Sequence, residues 1–193
     1  MRTRRILLAA LLGAACHLAI AQAPPIRPGL WEVRTTMGGA DGAARPMPDL
    51  GERMKSLPPE QRAQFEKMMR ERGVGVGGPG QGMQLCFTAE QMKRDSWVAG
   101  ERDGNCKTDI TSRSGSVWKW RTVCAPPRAA TIDGETRFSG DTAFTTRMTS
   151  TSEHKGQMRT ASHESSAKWL SADCGGLKPI DRAAAGPKPP SRP

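Results

Sequence analysis

The sequence predicts a mainly β chain with a helical insertion (α+β): a curved antiparallel meander sheet or incomplete barrel held by two disulfides. Three observations carry that expectation. The second half of the chain is a series of short stretches in which apolar and polar residues alternate, separated by turn residues. No long helices alternate with those stretches, which argues against a parallel sheet. Four cysteines remain once an N-terminal leader is set aside, an even number suited to two bridges in an oxidising compartment.

The strands can be placed one by one. In "PGLWEVRTTM" (28–37), Trp31, Val33, Thr35 and Met37 share one face and Glu32, Arg34 and Thr36 the other. Residues 106–113 and 116–124 follow the same rule. In the second of these Trp118, Trp120, Thr122 and Cys124 lie on one face, opposite Val117, Lys119, Arg121 and Val123. Residues 131–139 carry Ile132 and Phe138 in phase, and "SGDT" (139–142) signals a hairpin turn. Beyond it Phe144, Thr146 and Met148 alternate with Thr145, Arg147 and Thr149. A turn near His154-Lys155-Gly156 leads to 157–162, and "AKWL" (167–170) reaches Cys174.

Between the first strand and this series lies an excursion over about 40–82. Leu50, Met54 and Leu57 keep helical spacing until Pro58-Pro59. A second helix follows, with prolines in its first turn, Glu60 near its positive end, Arg70 and Arg72 near its negative end, and Gly73 for the left-handed exit. Phe65, Met68 and Met69 form its narrow apolar stripe. "GVGVGGPGQG" (73–82) lacks the Gly-Lys-Ser/Thr ending of a phosphate-binding loop and reads as a flexible return linker. In "QLCFTAEQ" (84–91), Thr88 and Gln91 form a capping box that starts a short helix. The sheet needs its edges protected, and the insertion is expected to cover a face or an edge.

The N-terminus has the parts of a secretory signal: Arg2, Arg4 and Arg5, an apolar run from Ile6 to about Ala15, and Ala19-Ile20-Ala21 as a cleavage site. Residues 1–21 are therefore expected to be removed, leaving one domain over 22–180 and a disordered, basic, proline-rich tail over 181–193. The disorder signal already begins at Gly176, in "GLKPIDRAAAGPKPPSRP". Gly13, three places before Cys16, is a poor lipobox residue, so a lipoprotein is not expected. The apolar run is too short for a permanent span and no later segment is apolar enough, so the expected compartment is the periplasm. Loss of Arg2, Arg4 and Arg5 takes the formal charge from +10 to +7. Those charges are spread rather than clustered, which fits a hydrated basic surface and not a nucleic-acid footprint.

Cys86, Cys106, Cys124 and Cys174 show neither C-x-x-C spacing nor enough histidines nearby for a zinc site. Cys106 and Cys124 are symmetric about Gly115, the best turn residue between them, and antiparallel partners have numbers that add to a constant. A Cys106–Cys124 staple across one hairpin follows, which leaves Cys86–Cys174 as a long-range tie.

The leader together with "PGLWEV", "LPPEQRAQ", "CFTAEQ" and "AKWLSADCG" resembles the exported bacterial proteins of domain-of-unknown-function family 3617. The resemblance spans about 24–180. Where that family reads "CLTPE", this chain has "CFTAE", departing at Phe87 and Ala89 but keeping the cysteine and the threonine cap. The resemblance implies a small periplasmic domain without an established activity, and supplies no catalytic residues.

The residues themselves assemble no reaction, cofactor site or metal site. Ser162, His163, Glu164 and Ser165 include the types of a hydrolytic triad, but strand neighbours point to opposite faces. Glu135 and Asp141, a possible acid–base pair, each lie beside turn glycines. Nine methionines survive export and raise Cu(I) binding as an alternative, against which Met68-Met69 sit on a helical stripe and the rest are scattered. Cys86 beside a helix start raises a thiol-dependent enzyme as another. The leading expectation is a non-enzymatic module that binds a small ligand or an envelope partner, with Trp31, Trp118 and Trp120 as ligand-facing candidates on one sheet face.

Overall fold

The computed structural model describes residues 23–38, 44–46, 50–78, 80–94, 97–98, 105–127, 129–154 and 156–180. The segments expected to be a leader (1–21) and a tail (181–193) lie outside the described residues, as does the His154 side chain. The strands are β1 (Gly29–Gly38), β2 (Ala44–Pro46), β3 (Val74–Val76), β4 (Met83–Phe87), β5 (Cys106–Ser114), β6 (Val117–Cys124), β7 (Ala130–Phe138), β8 (Ala143–His154) and β9 (Gln157–Ser171). The helices are α1 (Leu50–Lys55), α2 (Pro59–Glu71) and α3 (Ala89–Met92).

All nine strands join one antiparallel sheet in the order β3-β4-β1-β9-β8-β7-β6-β5, with β2 added to β1 off this path. Strands β5 to β9 form the expected meander, and β1 closes onto β9. The sheet is open, with β3 and β5 as its end strands. The two segments expected around His163 are one continuous strand, β9, of 15 residues. It is long because each of its flanks has a strand to pair with, β1 along one and β8 along the other.

Alternation builds the core on one face, called inner here. Trp31, Ala167, Phe144, Phe138, Trp118, Trp120 and Ile132 are buried there. Ile26, Met92 and Val98 are buried against them, with Trp97 and Phe87 packed alongside. The rings meet edge-on or tilted, as aromatic quadrupoles favour: Trp31–Phe144 and Trp118–Phe138 have centroids 5.2 Å apart. Trp120 stands opposite Gly134, and a Cβ at Gly134 would overlap its indole. The indole Nε1 donates to Thr136 Oγ1 at 3.2 Å, and Thr136 shares a hydrogen bond with Thr146 at 3.0 Å. Three buried polar groups are thereby satisfied inside an apolar layer.

The outer face is wet and charged. Lys119, Glu135, Arg147 and Glu164 are successive cross-strand partners of alternating sign. Arg121 pairs with Asp133 at 2.6 Å, and Arg137 with Glu135 at 2.7 Å. Such exposed pairs contribute little stability each, but they keep this face in water and oppose a register slip.

Both bridges form as the spacing predicts. Cys106 and Cys124 are direct cross-strand partners with Cα atoms 4.0 Å apart, and Cys86 joins Cys174 at 5.6 Å. The symmetry about Gly115 holds from Cys106 to Ile110. A bulge between Ile110 and Ser112 then shifts the register, and Gly115 takes φ 53° in the turn. The Thr88–Gln91 capping box is present, with Gln91 N donating to Thr88 Oγ1 and Thr88 N to Gln91 Oε1.

Three expectations change. The glycine-rich stretch is not simply a linker, because Val74–Val76 pairs with Met83–Leu85 as the edge strand β3. Gly75 permits this: a Cβ there would press on Gln84 and on Leu177. The segment after Cys174 is packed at least to Ile180, with Leu177 and Ile180 buried and Gln91 Nε2 donating to Ile180 O at 2.6 Å. Helix α2 buries no residue. Phe65 and Met69 are half-buried and Met68 is 39% exposed, because the helix borders the edge strand β3.

Two measurements check this architecture. Gly134→Ala should lower the unfolding free energy by about 1–3 kcal/mol in urea titration, the usual cost of forcing extra atoms into a packed core. Non-reducing peptide mapping should return Cys86–Cys174 and Cys106–Cys124. Double alanine replacement of the first pair should cost about 4–5 kcal/mol and of the second about 3 kcal/mol, since the closed loops differ in length.

Candidate functional site

A groove of about 550 Å³ lies where the insertion leaves and rejoins β1. Its size falls within the range of small-molecule sites, roughly 300–1,000 Å³. Strand β1 is paired with β4 as far as Val33 and with β2 from Thr36 onward. Between them no strand of the described residues pairs with Arg34 or Thr35 on that edge.

The register decides which backbone groups face this gap. Trp169 donates its N–H to Thr142 O on the β8 side, so residues 163, 165, 167 and 169 bond toward β8. Lys168, Ser166 and Glu164 bond toward β1, to their partners Glu32, Arg34 and Thr36. The N–H and C=O of Thr35 therefore point the other way, into the gap between β2 and β4.

Apolar residues from four elements line the groove: Val33 of β1, whose side chain packs against the core, Leu50 of α1, Val76 of β3 and Met83 of β4. Its polar rim carries Arg34, Arg53, Gln81 and Glu164. The glycine stretch forms one wall through Gly77, Gly80 and Gly82, and Gly80 has φ 73°. The turn is tied by Gly78 N to Gln81 Oε1 at 2.9 Å. A Cβ on Gly82 would strike Val33 O, so only glycine brings this wall so close to β1.

Glu32 fastens that wall. Its carboxylate accepts from Arg34 Nε at 2.7 Å and from the Gly82 N–H. Those hydrogen bonds, with the charges of Arg34 and Lys168, outweigh partial burial and hold its pKa below the ordinary carboxylate value. Arg147 lies outside the groove, and the neighbouring Glu164 raises its pKa.

The residues singled out from sequence are distributed as follows. Trp31, Trp118 and Trp120 are 0%, 3% and 1% exposed, so core packing describes their position and none lines the groove. Trp31 Nε1 donates to Arg27 O, and Trp169 Nε1 to Pro28 O, which locks the entry into β1. All four cysteines are bonded, so neither Cys86 nor any other described cysteine offers a thiol. Glu164 turns outward to Arg147, while His163 shares the inner face with Met148. Asp141 pairs with Arg27, and Glu135 with Arg137 and Lys119. No group of three or more His, Cys, Asp or Glu suited to a metal occurs among the described residues. No described helix is long and apolar enough to cross a membrane. Sequence reasoning missed the groove. The only trace of it was the clustered glycines, which look the same in a linker.

Comparison with known proteins bears out the family resemblance. The family described as "Protein of unknown function (DUF3617)" matches over residues 26–174. A protein of Pseudomonas putida described as "Uncharacterized protein in lpd-3 5'region" is 36% identical over 150 residues, covering 76% of this chain and 99% of that one. No solved structure matches.

The Glu32 carboxylate gives a pH test. Its folded pKa lies below the unfolded value of about 4.3, so the unfolded state takes up protons first on acidification. Its stabilisation is present above that value and is lost as pH falls through the folded pKa. Chemical denaturation should find Glu32→Gln less stable at pH 7 by about 0.5–1 kcal/mol, with the difference shrinking as pH falls below the ordinary carboxylate value.

Proposed function

This chain belongs to the DUF3617 family of proteins of unknown function, and on that premise we propose that it is a non-enzymatic, exported binding module of the periplasm. The observation that carries the reading is the edge of β1 at Thr35, unpaired by any strand of the described residues and facing a groove with apolar walls and a polar rim. Such a site suits a small amphipathic ligand: an apolar body against Leu50, Val76 and Met83, and a hydrogen-bonding group on the Thr35 backbone and the arginines. The two bridges, and the charged and apolar pattern of residues 1–21 that reads as a secretory leader, support export. The bonded state of Cys86 and the outward turn of Glu164 away from His163 disfavour the thiol and hydrolytic alternatives.

Thermal-shift and tryptophan-fluorescence screens against envelope lipids, short peptides and polyanions test this reading. A ligand is expected to raise Tm in the native protein and not in Ser166→Trp, which fills the groove from an exposed strand position. No shift from any of these classes, or a shift that survives in Ser166→Trp, would remove the groove as the site.

A further inference from the structure

The register brings together three soft donor groups that are far apart in the sequence. Met37 of β1 stands opposite His163 of β9, and His163 stands opposite Met148 of β8. Cross-strand partners share a face, so two thioethers flank one imidazole in a single row, with directly opposed Cβ atoms about 4.5–5.5 Å apart. The row continues through Gly134, which has no side chain, to Trp120, whose indole lies over that glycine. One end of the row is thus walled by an aromatic ring, and at the other Met37 stands opposite Arg45 of β2.

Burial follows the same gradient. Met148 is packed against the core, His163 is half-buried, and Met37 is 43% exposed at the margin. No hydrogen bond or ion pair engages the His163 imidazole among the described residues, whereas Glu164, its neighbour in sequence, is bonded to Arg147 on the outer face. A large exposed thioether on an inner face, beside an imidazole with both ring nitrogens available, is not accounted for by packing.

We propose that Met37, His163 and Met148 form a binding site for a soft monovalent d10 cation, Cu(I) or Ag(I). Thioether sulfur is neutral and polarisable, and it favours such ions over Zn²⁺, which takes thiolate, imidazole and carboxylate donors. Neutral imidazole supplies a second donor type suited to copper. The site requires no thiol, which is consistent with every described cysteine being bonded. It also requires no oxidation or reduction, because the ion binds and leaves in one oxidation state. This proposal does not rest on the groove: its three donors come from the inner face of β1, β9 and β8, and none of them lines the groove.

The test is an anaerobic competition between the full protein and bicinchoninate for Cu(I), with ascorbate as reductant so that the disulfides stay intact. One equivalent should be withdrawn from the chelator. Met37→Leu and Met148→Leu, which conserve volume, should each weaken retention tenfold or more, as should His163→Gln. The control Met68→Leu/Met158→Leu, which changes two exposed methionines elsewhere, should stay within twofold of wild type. Ag(I) added to protein labelled at the methionine methyls should shift the Met37 and Met148 signals and spare the others. No withdrawal of Cu(I), equal retention by the row variants and wild type, or shifts confined to other methionines would each overturn the proposal.

Discussion

A sheet with one dry face must hold its register, because a slip of one residue would carry every buried indole into water and every charged partner inward. That constraint organises the molecule. Trp31, Trp118 and Trp120 reach the core only because β1 and β6 present alternate residues inward, and among the described residues no second sheet closes the aromatic layer. The short helix α3 and the segment after it supply the cover through Met92, Trp97 and Val98. Gly134 makes room for the Trp120 indole, and Thr136, itself bonded to Thr146, accepts the hydrogen bond from its N–H.

Both bridges serve the same register. Cys106–Cys124 pins the β5–β6 hairpin at its open end, far from the turn where the bulge absorbs a one-residue shift. Cys86–Cys174 ties β4 to the end of β9 across β1, so the strand between them is held from both sides. The outer face adds opposite charges at successive partners, which costs little when correct and repels when displaced.

The insertion works differently. It leaves β1 through β2 and returns through β3 and β4, and the two returns do not meet along β1. The interruption at Arg34 and Thr35 creates the groove, with Glu32 and Gly82 fixing its wall. The Met37–His163–Met148 row has another origin, the end of the inner face that the aromatic cover does not reach. The groove arises where β1 lacks a partner strand among the described residues, whereas the row lies within fully paired sheet, flanked by β2 at one end and β7 at the other.

Much of this was legible in the chain. Alternation in residues 116–124 marks which side chains of β6 turn inward, and the midpoint at Gly115 names the hairpin bridge. Thr88 and Gln91 marked a helix start through purely local bonds. These succeed because strand period, turn chemistry and capping act over a few residues. What stayed hidden is non-local. A glycine-rich stretch reads as a linker until Gln84 and Leu177 press on Gly75. Leu177 and Ile180 look like part of a tail until Gln91 holds Ile180. Met37, His163 and Met148 are scattered residues until the pairing of β1, β9 and β8 sets them side by side. The sequence by itself determined the strand faces, the turns and the covalent pairs, because each follows from chain geometry at short range or from counting cysteines. Only the tertiary structure decided the groove and the row, because the order of strands depends on how the whole inner face is buried at once.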